Sequence, residues 1–342
     1  MRKFNIAVVG ATGAVGEEIF KVLEELKFPY GEVLPLVSSR SAGSDVEFDG
    51  EIYKAVELTE NIFEEHEIDI AFFSAGGSVS AKFAPLAAQS GALVIDNTSH
   101  FRMQKNIPLV VPECNPQDIA LWKETGIIAN PNCSTIQMVQ ILKPLNDTFD
   151  IQRVDVSTYQ AVSGAGKKGM EELVMELQAF FAFKLDEYEN KAFPYQIAMN
   201  LIPHIDVFLD NGYTKEEMKM VNETQKILHK NFSVSATCVR VPVLRSHSEA
   251  ITIKFANPID AQKAREVLKA APSVVVVDKP EDKEYPMPII STDTNFTYVG
   301  RIRNDNFDDT ILHLWCCADQ IRVGAATNAV RIALEWIEKY SD

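Results

Sequence analysis

Cys133 stands in the stretch "NPNCSTIQ", directly after the apolar run "GIIAN" and ahead of the helix-like run "TIQMVQILKPL". A cysteine at a corner between strand and helix is poorly placed for packing and well placed for nucleophilic attack. The thiolate is the reactive form, and the unpaired N–H groups and positive potential of a helix N-terminus stabilise it. The same N–H groups could hold an oxyanion on a carbonyl that Cys133 attacks. His247 lies in "RVPVLRSHSEA", flanked by Ser246 and Ser248 and near Arg240 and Arg245. A histidine in a polar setting at a strand end can serve as general acid and base. Arg240 precedes His247 by an odd number of residues, which would place the two on opposite faces of one continuous strand. If both reach one pocket, the strand must bend or end between them, and Pro242 is the expected break.

A second constellation is "VVGATGAVG", which sets Gly10, Gly13 and Gly16 between the first strand and the first helix. Such a turn favours a pyrophosphate, through a tight corner, close backbone approach and the helix N-terminus. The spacing is GxxGxxG rather than GxGxxG, so the turn specifies a dinucleotide only moderately well. The second strand ends "LVSSRSAG" with no acid between Val37 and Gly43 to hold a ribose 2′-hydroxyl. Ser38, Ser39, Arg40 and Ser41 suit a 2′-phosphate instead, which points to NADP.

The elements that must position these residues fall into two sets. Through about residue 130, apolar strand runs ("NIAVV", "VLPLVSS", "IDIAFFSA", "ALVIDN", "LVVPE", "GIIAN") alternate with helical runs such as "EEIFKVLEEL" and "SAKFAPLAAQS". In the first helix Ile19, Val22, Leu23 and Leu26 share one face. That pattern predicts a parallel, Rossmann-like α/β sheet covered on both faces. After Cys133, long strand runs dominate: "RVDVSTYQAV", "VSATCVRVPVL", "EAITIKF", "SVVVVD", "TYVGRIR" and "TILHLWCCA". Only two helices interrupt them, "KKGMEELVMELQAFF" and "KEEMKMVNETQKILH". The expectation is an α+β domain with a mostly antiparallel sheet. The amphipathic terminal run "GAATNAVRIALEWIEKY" should return to the first domain. The expected division is therefore 1–132 plus 324–342 for the dinucleotide domain, and 133–323 for the catalytic domain.

Composition narrows the classes. The 342 residues carry 33 Lys and Arg against 48 Asp and Glu, a net charge of −15, with 46% hydrophobic residues. An acidic chain without a basic stripe is not expected to bind nucleic acid. No apolar run is long enough to span a membrane. The five cysteines form no CxxC pair and are odd in number, which reads as reduced thiols in a cytoplasm. The six histidines show no metal-binding spacing, so no metal is expected.

With these residues in view, the chain resembles aspartate-β-semialdehyde dehydrogenases over nearly its whole length. The likeness rests on "GATGAVG", "DNTSHFRM", "VVPECN", "NPNCSTIQ", "TYQAVSGAG", "EEMKMVNET", "VRVPVLRSHSE" and "GAATNAVRIA", in that order. The resemblance implies NADPH-dependent reduction of L-4-aspartyl phosphate to L-aspartate 4-semialdehyde and phosphate, by a cytoplasmic homodimer. It makes Cys133 the nucleophile, His247 the general acid and base, and Gln160 the residue that orients substrate near the thiol. It gives Arg240 the substrate carboxylate, Glu216 the amino group, and Arg102 and Lys219 the phosphate. It assigns Gly10, Thr12, Gly13, Ala14, Val15, Gly16, Arg40, Ser41, Ser163, Gly164 and Asn328 to NADP. The nearest alternative is N-acetyl-glutamyl-phosphate reductase, whose neutral acylated nitrogen has less use for an acid at Glu216. Another is a non-enzymatic NADP-binding paralogue, against which the presence of both Cys133 and His247 argues. A third is a dehydrogenase that hydrolyses its thioester, which a strict requirement for phosphate would exclude.

Overall fold

In the computed structural model, which describes residues 2–341, the chain divides into two compact units. One comprises the chain up to Asn132 together with the stretch from Gly324 onward, and the other is Cys133–Val323.

The first unit opens with β1 (Phe4–Val9), an apolar run buried at all but one position. It turns at Gly10 into α1 (Ala14–Glu25), which buries Ile19, Val22 and Leu23. Leu26, expected on the same face, is the C-cap and only partly buried. Then come β2 (Tyr30–Val37), an antiparallel hairpin of β3 (Asp45–Phe48) and β4 (Glu51–Lys54), β5 (Val56–Glu57) and α2 (Ile62–Glu65). The unit continues through β6 (Ile70–Phe73), α3 (Gly77–Gln89), β7 (Leu93–Asp96) and β8 (Ile127–Ala129). The sheet order is β5-β2-β1-β6-β7-β8, and all its pairings are parallel. The chain builds to one side of β1 and then crosses to the other. The carboxyl ends of β1 and β6 thus flank a topological switch point, where such sheets bind ligands.

"LVVPE" is not the strand its apolar run suggests. Only Leu109 makes an isolated parallel bridge, to Ala129, before the chain turns. Asn115 explains the turn: its Oδ1 accepts from Val111 N at 2.9 Å and its Nδ2 donates to Leu109 O at 2.8 Å. A side chain thus takes backbone groups that a ladder would have used.

The glycine turn has a steric basis. Gly10 has φ +88°. A Cβ on Gly16 would lie 2.2 Å from Gly10 O, so the first turn of α1 can approach the end of β1 only without a side chain there. Gly16→Ala should therefore destabilise the protein by about 1–3 kcal/mol, the usual cost of overpacking. Denaturant unfolding checks this, and an unchanged midpoint would contradict it.

The second unit runs α4 (Cys133–Phe149), β9 (Ile151–Gln160), α5 (Gly166–Phe181), α6 (Lys215–Leu228), β10 (Ser233–Arg240) and β11 (His247–Phe255). There follow α7 (Ala261–Ala270), β12 (Val274–Val276), α8 (Pro288–Ser291), β13 (Thr297–Asn304) and β14 (Ile311–Ala318). The sheet order is β10-β9-β11-β14-β13-β12. Its three inner pairings are antiparallel and its two outer ones parallel, a mixed sheet with the expected antiparallel bias. α7, "AQKAREVLKA", was not anticipated. Its buried face is only Ala261, Ala264 and Leu268, a weak periodic signal, and Asp260 caps it by accepting from Gln262 N at 2.9 Å.

The chain then returns to the first unit as α9 (Thr327–Tyr340). Ala329, Val330, Ile332, Ala333 and Trp336 join the core of that unit, with the Trp336 ring 6.3 Å from that of Phe4. Among the described residues no helix is long and apolar enough to cross a membrane.

Candidate active site

Strand pairing in the second unit gathers the reactive residues. β10 is parallel to β9, so their ends coincide and Arg240 sits opposite Gln160. β11 is antiparallel to β9, so its beginning adjoins the end of β9, with Ser248 opposite Tyr159. The chain leaves β10 at Arg240, passes Pro242, turns at Ser246 (φ +75°) and starts β11 at His247. The break required by the odd spacing is thus a strand end. It lets Arg240 and His247 meet.

The backbone of one residue orients both. Ala161 N–H donates to His247 Nδ1 at 3.0 Å, and Ala161 O accepts from Arg240 Nη1 at 2.7 Å. An Nδ1 that accepts cannot carry the ring hydrogen, so the neutral imidazole bears it on Nε2. Burial, and next the Arg240 guanidinium, push the His247 pKa down to about 3, so the ring is uncharged at neutral pH. Gln160 Nε2 stands 3.5 Å from His247 Nε2, but two donors do not bond. The imidazole hydrogen remains available to a substrate. A Cβ on Gly164 would lie 2.7 Å from Arg240 Nη1 and 3.4 Å from His247 Nε2, so the glycine leaves room for both side chains.

Cys133 is the first residue of α4 and is partly buried. Its thiol lies within electrostatic reach of the Arg240 guanidinium. The helix starts where the sequence places it, so the reactive position is a property of α4 itself. Gln160 Nε2 donates to Glu216 Oε1 at 3.0 Å. Glu216 and Lys219 lie in the first turns of α6, which begins at a capping box. Glu217 N donates to Thr214 Oγ1 at 3.2 Å, and Thr214 N to Glu217 Oε2 at 2.7 Å. Glu216, assigned to an amino group, and Lys219, assigned to a phosphate, pair with each other at 3.0 Å. Lys219 also pairs with Asp206 at 2.8 Å. Burial opposes its charge, yet the two carboxylates hold the Lys219 pKa above its ordinary value. Arg245 is engaged elsewhere, with Asp319 and Asp293.

The first unit contains a cleft of about 520 Å³ at its switch point, lined by Gly10, Thr12, Ser38, Ser39, Arg40 and Ser41 among others. Gly13 caps α1, and Ala14 and Val15 open it, so its backbone N–H groups face the same turn. A negatively charged dinucleotide phosphate fits this combination of helix N-terminus, hydroxyls and one guanidinium. Asn328 is buried in the first unit and donates to Val110 O at 2.9 Å and to Asn130 Oδ1 at 2.6 Å. Its own Oδ1 has no hydrogen-bond partner. Arg102 lies in the same unit, with Nε on Asn130 O and Nη2 on Asn97 O, each at 2.9 Å. Ser163 and Gly164 belong to the second unit, where Ser163 Oγ accepts from Gln320 Nε2. Among the described residues no group of three or more His, Cys, Asp or Glu side chains could hold a metal ion.

Residues 5–122 match the family model described as semialdehyde dehydrogenase, NAD binding domain. Residues 142–323 match the one described as semialdehyde dehydrogenase, dimerisation domain. An aspartate-semialdehyde dehydrogenase of Campylobacter jejuni is 72% identical over 337 residues, covering 98% of each chain. The chain belongs to the aspartate-semialdehyde dehydrogenase family. A crystal structure of Vibrio cholerae aspartate semialdehyde dehydrogenase II complexed with ASA superposes with a TM-score of 0.95 at 46% identity, covering 99% of this chain and 100% of that one. The Candida albicans aspartate semialdehyde dehydrogenase with NADP gives a TM-score of 0.73 at 26% identity, covering 98% of each.

As an aspartate-semialdehyde dehydrogenase the chain is an oxidoreductase of amino-acid biosynthesis, with an NAD-binding and a dimerisation domain. Sequence reasoning did not single out Ala161, whose role is carried by backbone atoms and leaves no side-chain signal. It also missed Asp206, whose pairing with Lys219 spans a loop of no fixed pattern.

Proposed function

We propose that the chain catalyses NADPH-dependent reductive dephosphorylation of L-4-aspartyl phosphate to L-aspartate 4-semialdehyde, through a thioester on Cys133. The observation that carries this reading is the Ala161 backbone, whose N–H and C=O hold His247 and Arg240, with the Cys133 thiol within electrostatic reach of that arginine. Arg240 grips the substrate α-carboxylate, with two parallel hydrogen bonds where geometry allows. Glu216 takes the amino group, and Gln160 orients the substrate. Arg102 and Lys219 hold the phosphate. Lys219 must then exchange part of its pairing with Glu216 and Asp206 for the incoming anion.

Cys133 Sγ attacks the acyl carbon, the C–O bond to phosphate breaks, and phosphate leaves with that electron pair. NADPH, when bound, supplies the hydride that reduces the thioester. His247 Nε2–H donates a hydrogen bond to the carbonyl oxygen as charge develops there. The oxyanion then re-forms the carbonyl as the C–S bond breaks, and the aldehyde leaves with the electron pair of that bond returned to Cys133 Sγ. The N–H groups opening α4 are placed to stabilise the oxyanion.

NADP rather than NAD is supported by Arg40 and Ser41 in the cleft of the first unit. Arg40→Ala should cost roughly 1.5–3 kcal/mol of NADP binding, the worth of a charge-assisted contact. NAD use should change little, since NAD lacks the 2′-phosphate. Equal rises in KM for the two cofactors would show that Arg40 does not read that phosphate. Asn328 Oδ1 is a buried acceptor that an amide of the cofactor suits. A homodimer formed through the second unit and a cytoplasmic location complete the proposal. The deciding assay runs the oxidative reaction with aspartate semialdehyde, NADP⁺ and phosphate, omitting each in turn. Turnover without phosphate would overturn the acyl-phosphate product.

A further inference from the structure

α4 packs against the face of the second unit's sheet that carries His247. Strand alternation puts Glu249 on that same face, two residues along β11. Glu249 is fully buried. Its Oε2 accepts from Cys316 Sγ at 3.5 Å, its Oε1 has no hydrogen-bond partner, and the same Cys316 Sγ lies 3.8 Å from Gln137 Nε2. Gln137 lies four residues after Cys133, on the same face of α4, and is itself buried. Its Nε2 reaches His247 O at 3.5 Å, while its Oε1 has no partner. Two buried oxygens without donors therefore lie on adjoining side chains, between the element that begins at Cys133 and the one that begins at His247. One hydrogen on the carboxyl group, given to Gln137, would satisfy both.

We propose that Glu249 is a positioning residue for the reaction: through Gln137 it ties the first turns of α4, and so Cys133, to the start of β11, and so His247. The inference rests on Cys133 and His247 being the reacting pair. The groups that face Glu249 are Thr158 on β9, Cys316 on β14 and Gln137 on α4, none of them cationic. The more distant thiols of Cys238 and Cys317 are held neutral by burial. With no cation to stabilise its charge, burial pushes the Glu249 pKa up to about 8. At neutral pH it is thus mostly an acid that can donate. Ionised, it can only accept, and the hydrogen for the Gln137 carbonyl oxygen is gone. The hold is present below about pH 8 and lost above it.

The test compares Glu249→Met and Glu249→Gln with the wild type, in kcat and KM on both sides of about pH 8. Methionine fills the space and donates nothing, so kcat should fall about 100-fold with little change in KM, as a small displacement of reacting groups does. Glutamine keeps a donor and cannot ionise, so it should restore most of kcat and remove the alkaline loss that the wild type shows. Wild-type kcat in Glu249→Met overturns the proposal. So does Glu249→Gln no better than Glu249→Met, or one that keeps the wild-type alkaline limb. If the methionine variant fails to fold, the pH profile of the glutamine variant decides. Cys133→Ala, run alongside, tests the reacting pair separately, because activity in that variant would sink the underlying reading whatever Glu249 does.

Discussion

Cys133→Ala should abolish turnover, with a loss on the order of 10⁶-fold in kcat, the size found when a covalent enzyme loses its nucleophile. Dinucleotide binding should survive, because the cleft lined by Gly10, Thr12, Arg40 and Ser41 is built wholly from the first unit, and Cys133 belongs to the second. The other thiols offer no substitute. Cys114, Cys238, Cys316 and Cys317 are all buried. Burial holds the Cys238 and Cys316 thiols well above the ordinary range, and it raises that of Cys317 to about 11. A mild alkylating agent at neutral pH should therefore label Cys133 first. Peptide mapping after partial alkylation reads this directly. Wild-type turnover in the alanine variant, or early labelling of any other cysteine, would contradict the assignment.

Arg240→Lys should reduce kcat/KM for aspartate semialdehyde about 100-fold, because a misplaced reacting carbon is costly even when charge is kept. The guanidinium is set by Ala161 O at 2.7 Å and by the Phe193 ring, 5.8 Å from Cζ to centroid. Lysine cannot bond the peptide and present two parallel N–H groups to a carboxylate together. Arg240 also lowers the His247 pKa, so its electrostatic effect on the imidazole should partly remain with lysine. The loss should thus fall on semialdehyde use, while dinucleotide affinity stays near that of the wild type. Steady-state kinetics with each substrate varied, and a separate dinucleotide titration, distinguish the outcomes. Unchanged semialdehyde kinetics, or equal weakening of dinucleotide binding, would remove Arg240 from the carboxylate site.

Much of this was written locally in the chain. A glycine turn between an apolar run and an amphipathic run makes β1 and α1 whatever lies elsewhere, because periodicity and steric freedom are local properties. The corner at Cys133 is local in the same sense: the residue opens α4, as "NPNCSTIQ" implies. The long strand runs after it also became strands, though β12 keeps only Val274–Val276 of "SVVVVD" and β10 ends at Arg240, short of the end of "VSATCVRVPVL". What periodicity alone misjudged was "LVVPE", where a single asparagine diverts the backbone, and α7, whose buried face is too small to stand out.

Tertiary structure decided the contacts that make a site of these parts. Parallel pairing of β10 with β9, and antiparallel pairing of β11 with β9, bring Gln160, Arg240 and His247 to one place. No spacing along the chain contains that information, since register is set by the partners a strand finds. The tautomer of His247 depends on a backbone N–H from another strand's end, and its uncharged state on burial. Glu216 and Lys219 could be read from α6, but their pairing with Gln160 and Asp206 could not. Sequence by itself determined which residues could react and which elements carry them. Orientation, protonation and partnership came from packing, because hydrogen bonds and desolvation depend on neighbours far apart in the chain.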